Sequence, residues 1–269
     1  MKIGLVQMRV TAHKEDNLRR AEEGVLRAAE QGAEIVALPE MFCCPFLNEL
    51  FPSFAEPKTG EVYRRLRDLA KKAGVILVAG SFPEIEGEKL YNSCFVFDRD
   101  GNEIANHRKA HLYDVDIKDG PSMMESDVFS KGDALTFFEV DGHKFGLTIC
   151  FDIRFPEMFM ALGLAGAEAV FVPAAFNTKT GPMHWELLYR TRAVDNQLFT
   201  IGISPSRHED DPYVSHGHSI IASPWAEVIL DAGEEEGVHV VDVDLEESAR
   251  VREEMPLLKL RRPEVYGKL

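Results

Sequence analysis

Lys144-Phe-Gly-Leu-Thr-Ile-Cys150 restates Lys2-Ile-Gly-Leu-Val-Gln-Met8, and the elements after each run repeat in one order. A helical pattern comes next, over 16–31 in the first half and 156–165 in the second. Glu34-Ile-Val-Ala-Leu-Pro39-Glu40 and Glu168-Ala-Val-Phe-Val-Pro173-Ala174 come after it, both strand-like and both closed by proline. Second helical patterns occupy 60–73 and 183–196, and the apolar runs 75–79 and 198–203 come after them. Each half then finishes with two extended runs: 93–97 with 103–107, and 218–222 with 238–242. One element order used twice is the mark of an internal repeat.

Apolar runs of this length between amphipathic helices read as buried strands in β-α-β units. A sheet covered by helices on one face leaves the other face bare. Two such halves remove that surface from water by stacking face to face. The expected fold is therefore α/β: a four-layer α-β-β-α sandwich with an internal pseudo-two-fold repeat, in a single domain over 1–269. The same alternation also suits a three-layer doubly wound sheet; the repeat favours the sandwich. The segment 111–132 reads as a long irregular connection, and connections of that length are often functional. A last helical pattern runs from 245 to about 255. The tail 256–269, with Arg261 and Arg262, is expected to pack on a surface or on a second subunit.

The 269 residues are 45% hydrophobic, enough for a sizeable core. With 30 Lys+Arg against 45 Asp+Glu the net charge is -15. That field disfavours nucleic acid and anionic membranes as partners. No apolar run approaches the ~20 residues of a membrane span, and the start has no signal-peptide core. Cys43 and Cys44 are adjacent, which suits a disulfide framework poorly, so reduced thiols in a cytoplasm are expected.

The chemistry sits at strand exits. Cys150 ends an apolar strand and is followed at once by Asp152-Ile-Arg154-Phe-Pro156-Glu157. Glu40 closes the second strand, and Lys109 follows the run Glu103-Ile-Ala-Asn-His107-Arg108. Taken singly, the cysteine reads as a small core residue, the glutamate as a helix N-terminal acid and the lysine as a solvated one. Together, a thiol, a base and an ammonium suit covalent attack on an amide or nitrile carbon. The carboxylate takes the thiol proton, and the ammonium and backbone N–H groups such as that of Phe151 stabilise the developing negative charge.

At these residues the chain resembles the nitrilase superfamily, the carbon–nitrogen hydrolases, over nearly its whole length. The motifs are Leu38-Pro39-Glu40, His107-Arg-Lys109-Ala-His111-Leu and Gly146-Leu-Thr-Ile-Cys150-Phe-Asp152-Ile-Arg154-Phe-Pro156-Glu157. The resemblance implies Glu40 as general base, Lys109 as stabiliser of the tetrahedral intermediate and Cys150 as nucleophile. It puts the second glutamate, which positions lysine and substrate, at Glu125. It also implies the α-β-β-α sandwich, a homodimer or larger homo-oligomer, and no cofactor. Cys150-Phe151-Asp152 differs from the Cys-Trp-Glu usual in nitrilases. The run Ala174-Ala-Phe176-Asn-Thr-Lys179-Thr180-Gly-Pro-Met-His184-Trp185-Glu186 resembles the ω-amidase (Nit2-like) branch, although Lys179 departs from the residue usual there. That branch cleaves the terminal amide of α-ketoglutaramate or α-ketosuccinamate. Residues 121–126 and 262–267 look somewhat like the sister branch acting on deaminated glutathione. N-carbamoyl and nitrile hydrolysis are enzymatic alternatives, and a non-catalytic metabolite-binding module is the alternative of another class.

A keto-dicarboxylic monoamide needs a partner for its buried carboxylate. Arg154 offers a bidentate fork and matches the arginine this branch uses; Thr180 and the backbone near Phe176 complete the expected cradle. The competing reading of Arg154 is a structural ion pair with Asp152 or Glu157. His216-Gly-His218 lacks nearby cysteines or acids and reads as a turn before a strand, so no metal is expected. His111 and His184 leave room for a Cys–His dyad instead of Glu40. Trp185, with Leu188 and Arg192, reads as core or subunit contact, and Glu234-Glu-Glu236 as a solvated turn.

Overall fold

The computed structural model describes residues 1–118, 120 and 122–267. From the amino terminus run β1 (Lys2–Gln7), α1 (Lys14–Glu30), β2 (Ile35–Ala37), α2 (Phe51–Phe54), β3 (Glu56–Pro57), α3 (Glu61–Ala73) and β4 (Ile76–Val78). Next come β5 (Phe82–Glu86), β6 (Lys89–Phe97) and β7 (Glu103–Arg108), then the hairpin β8 (Asp114–Asp116) and β9 (Ser122–Met124). The second half holds β10 (Thr136–Val140), β11 (His143–Leu147), α4 (Pro156–Leu164), β12 (Ala169–Pro173), α5 (Gly181–Asn196), β13 (Phe199–Ile203), β14 (Ile220–Ala222) and β15 (Val228–Asp231). β16 (Gly237–Asp242), α6 (Glu246–Glu254) and α7 (Pro263–Tyr266) complete the order.

The two expected sheets are present and stacked. In the first, β1, β2 and β4 are parallel and β6 joins antiparallel to β4, with β5 and β7 paired to β6. In the second, β11, β12 and β13 are parallel and β14 and β15 follow antiparallel. Side chains alternate as a pleat requires. Ile3, Leu5, Ile35, Ala37, Ile76 and Val78 share one buried cluster with Phe145, Leu147, Ala169, Phe171, Phe199 and Ile201 of the facing sheet. Val6, Val36 and Leu77 point the other way, onto Leu18, Val25, Leu66 and Leu69 of α1 and α3. The repeated glycines explain how close the outer helices come. A Cβ on Gly4 would lie 3.0 Å from the Ala28 Cβ of α1, and one on Gly146 3.1 Å from Leu162 of α4.

Two expectations need correction. Residues 238–242 do not end the second sheet: β16 crosses back and pairs antiparallel with β1, Lys2 opposite Asp242. The last strand of the second sheet is β15, shorter and more exposed. β10, antiparallel to β11, is to its sheet what β16 is to the first, so the repeat is permuted around the chain. Segment 111–132 is not irregular, because it contains the β8–β9 hairpin and a 3-10 turn over Glu125–Asp127. Pro121 within the 121–126 resemblance, and the last two residues of the tail, lie outside the described residues. Trp185 is core, buried with Tyr189 beneath α5. Among the described residues no helix is long and apolar enough to cross a membrane.

Candidate active site

Each of the three strand exits is built so that its reactive group points inward. Beyond β2, Leu38 N–H donates to Val78 O (3.0 Å) and Ser81 N–H donates to Pro39 O (3.2 Å). Met41 N–H donates to Ser81 Oγ (3.1 Å). Gly80 makes this possible, since its φ is +62° and a Cβ there would lie 2.3 Å from Pro39 O. The turn so fixed buries Glu40 completely. Lys109 leaves β7 with its N–H donated to Asn92 O (2.9 Å), and its side chain is buried as well. Lys109 Nζ lies 2.9 Å from Glu40 Oε1 and 2.8 Å from Glu125 Oε2. Glu125 Oε2 also accepts the Tyr113 N–H at 2.6 Å. Asn92 Nδ2 donates to Glu40 Oε1 at 2.9 Å and to Glu125 Oε1 at 3.2 Å.

Cys150 follows β11 as the first residue of a 3-10 turn, Cys150–Arg154, with φ +44°. A left-handed cysteine costs of order 1–3 kcal/mol and persists only where its surroundings impose it. Asp152 does so. Its N–H donates to Ile149 O (3.0 Å) while its Oδ2 accepts the Ile149 N–H (2.9 Å). The same buried carboxylate accepts from His111 N–H (2.9 Å), and His111 Nδ1 and His107 Nε2 lie 2.7 and 3.0 Å away. Burial works against the Asp152 charge, yet His107 and His111 outweigh it and hold its carboxyl well below the usual carboxylate range. Asp152 thus ties the cysteine turn to the chain on both sides of Lys109.

The electrostatics follow from dryness. Burial, then repulsion from Glu125, pushes the Glu40 carboxyl above its ordinary value despite the Lys109 ammonium. Burial opposes the Lys109 charge too, but Glu125 and Glu40 outweigh it and keep the ammonium firmly protonated. Burial and then Glu40 hold the Cys150 thiol well above its ordinary value. At rest the sulfur therefore carries its proton. Glu40 is the group whose charge acts most strongly on that sulfur, and its second oxygen, Oε2, is buried and takes no hydrogen bond. Cys43, Cys44 and Cys94 are free thiols with no exposed surface, whereas Cys150 retains 6% exposure. Iodoacetamide at neutral pH is expected to label Cys150 first, and Glu40→Gln is expected to slow that labelling. Peptide mapping that found Cys43, Cys44 or Cys94 alkylated ahead of Cys150 would contradict this assignment.

Cys150 opens into a pocket with about 250 Å³ of empty space, lined by Phe46, Tyr113, Phe151, Arg154, Phe176 and Thr180 among others. All four residues expected around the substrate, Arg154, Phe151, Phe176 and Thr180, are in its wall. The ion pair considered for Arg154 is not there: among the described residues neither Asp152 nor Glu157 pairs with it. Its guanidinium lies 4.8 Å from the Phe176 ring and 5.6 Å from that of Phe151. One Nη1–H donates to His184 Nδ1 at 3.1 Å, and Nε is buried without a partner. Burial lowers its pKa, the expected effect on a cation lacking an anion.

A Cys–His dyad finds no support, because His111 is stacked on Phe155 and bound to Asp152 while His184 is against Arg154. His216 and His218 stack on each other, and among the described residues no group of three or more metal-ligating side chains forms. Sequence reading missed Asn92 and Tyr113. A buried asparagine within the apolar strand Tyr91-Asn92-Ser93-Cys94-Phe95 was the available signal for the first; Tyr113 N–H carries no side-chain signal at all.

The chain matches the carbon–nitrogen hydrolase family over residues 2–253. It is 45% identical to the omega-amidase NIT2 of Xenopus tropicalis over 266 residues, 99% of this chain and 96% of that protein. It superposes with a TM-score of 0.89 on Saccharomyces cerevisiae Nit3, a member of branch 10 of the nitrilase superfamily, at 37% identity over 97% of this chain and 96% of that one. A variant of the amidase from Nesterenkonia sp. AN1, with acrylamide added to its active-site cysteine, gives a TM-score of 0.80 at 26% identity, covering 99% and 98%. Sequence motifs, four-layer sandwich and full-length similarity agree, and the chain belongs to the carbon–nitrogen hydrolase family, the nitrilase superfamily.

Proposed function

We propose that the protein is an ω-amidase-type hydrolase that cleaves the terminal amide of a small carboxylate-bearing substrate through a Cys150 thioester. The observation that carries this reading is the Arg154 guanidinium, paired with no carboxylate among the described residues and with its Nε buried and unbonded, in the same pocket as Cys150 and beside the dry Glu40–Lys109–Glu125 cluster. The similarity to the Xenopus tropicalis omega-amidase and the cysteine adduct of the Nesterenkonia amidase support it. Glu40 takes the thiol proton as sulfur attacks the amide carbon. Lys109 and the Phe151 N–H hold the oxyanion, and Glu125 keeps Lys109 in place. The C–N bond then breaks as Glu40 returns its proton to the leaving nitrogen, releasing ammonia. Water enters, loses a proton to Glu40 and attacks the thioester carbon. Sulfur departs and regains the proton from Glu40, leaving a carboxylic acid. Arg154 anchors the distal carboxylate between Phe151 and Phe176, with Thr180 beside it.

Ammonia release from α-ketoglutaramate, succinamate, deaminated glutathione and simple nitriles tests the reading. The short anionic amides are expected to be turned over best; faster turnover of nitriles or of deaminated glutathione would displace it. Arg154→Ala is expected to raise KM for anionic amides by roughly 10²-fold, the scale of a charge-assisted pair, with little change for neutral ones. Equal losses on both classes would reject the anchoring role. The whole of 1–269 is taken as one hydrolase domain, since both sheets share one core cluster. A homodimer or larger assembly is supported by exposed Met183 and Leu187 on α5 together with Trp225. A cytoplasmic setting is supported by four free thiols.

A further inference from the structure

Asn92 sits in the middle of β6, fully buried, where a strand paired on both sides favours an apolar side chain. Its amide is oriented by what it touches: Glu40 Oε1 at 2.9 Å and Glu125 Oε1 at 3.2 Å only accept, so the NH₂ faces them. The other end, Oδ1, is left buried without a partner. A buried unpaired acceptor costs free energy, which a leucine in this strand would avoid. Asn92 O also receives the Lys109 N–H at 2.9 Å, so one residue touches base, lysine and second glutamate.

We infer that Asn92 is a positioning residue of the reaction: its two N–H groups hold the Glu40 and Glu125 side chains in place around Lys109 and leave Glu40 Oε2 free of hydrogen bonds to serve as the base. This rests on the reading of Glu40 as the base. The geometry says which carboxylate depends on Asn92 more. Without it Glu125 keeps the Tyr113 N–H and Lys109, whereas Glu40 keeps Lys109 alone. The other titratable groups acting on or facing Glu40 are Glu125, Cys150 and, from α5 and the segment before β14, Tyr189 and Tyr213. Removing a donor to a carboxylate favours its protonated form, so the loss of Asn92 disables the base at neutral pH and spares it at alkaline pH.

The test is the pH profile of kcat/KM for ammonia release from succinamate in wild type, Asn92→Leu and Asn92→Ser, with circular dichroism to select folded variants. The acid limb is expected to move up by about one pH unit or more, with kcat at neutral pH down ~10–100-fold, partial recovery in alkali and KM changed less than ~3-fold. Asn92→Ser, which keeps one donor, is expected to fall between the others. A uniform loss at every pH with an unmoved acid limb would make Asn92 merely structural and overturn the inference. If wild type releases no ammonia from any amide, the functional reading fails separately, and the same limb is then read from Cys150 alkylation by iodoacetamide. An upward shift in Asn92→Leu supports the positioning role there too, and an unmoved limb overturns it.

Discussion

Cys150→Ala is expected to abolish ammonia release, by at least ~10⁴-fold in kcat, the scale seen when a covalent nucleophile is removed, while the protein stays folded. The two outcomes separate because the residue's burdens are distinct. Its sulfur is the only protein atom in the scheme that bonds to substrate carbon, so no neighbour replaces it. Its backbone strain at φ +44° is imposed by the Asp152 turn, and alanine bears the same strain. Loss of one buried sulfur is expected to change stability by about 1 kcal/mol. Urea unfolding of the purified variant measures the second claim and an ammonia assay the first. Retained turnover in folded Cys150→Ala would remove the thioester from the mechanism.

Lys109→Met is expected to abolish turnover and also to destabilise the fold, by ~3–5 kcal/mol at about pH 7.5, because two buried carboxylates lose their cation. The sign of its pH dependence is the sharper test. With Lys109 gone, its ammonium no longer offsets burial and the repulsion from Glu125, so the folded state holds a proton on Glu40 more tightly than the unfolded chain does. A folded pKa raised above the unfolded one means stability falls as pH climbs between the two. The deficit of Lys109→Met against wild type should therefore be smaller at about pH 5 than at about pH 7.5 in urea titrations. A deficit that grew toward acid would show that Lys109 is not the neutralising charge of this cluster.

The candidate trio was legible in the sequence because each member follows a strand-like run: Glu40 and Cys150 come after the parallel strands β2 and β11, whose ends are where side chains meet a cleft, and Lys109 comes after the antiparallel strand β7. Asn92, Tyr113 and the full service of Asp152 were not. Asn92 lies inside a strand rather than at its exit, the Tyr113 contribution is a main-chain N–H, and Asp152 acts through contacts with residues 107 and 111, some forty positions away. The ion pair considered for Arg154 failed for a related reason: proximity in sequence to two acids says nothing about which way a 3-10 turn aims each side chain. Asp152 turns inward to His107, and Arg154 turns into the pocket.

Local periodicity was enough to specify the two β-α-β halves and the candidate groups at three strand ends. Only packing in three dimensions settled that β16 returns to β1, that β15 closes the other sheet, and that Glu125 and Asn92 enclose Lys109. Pairing partners and buried charge clusters are fixed by what is left unsatisfied after the halves stack, and no short stretch of chain contains that remainder.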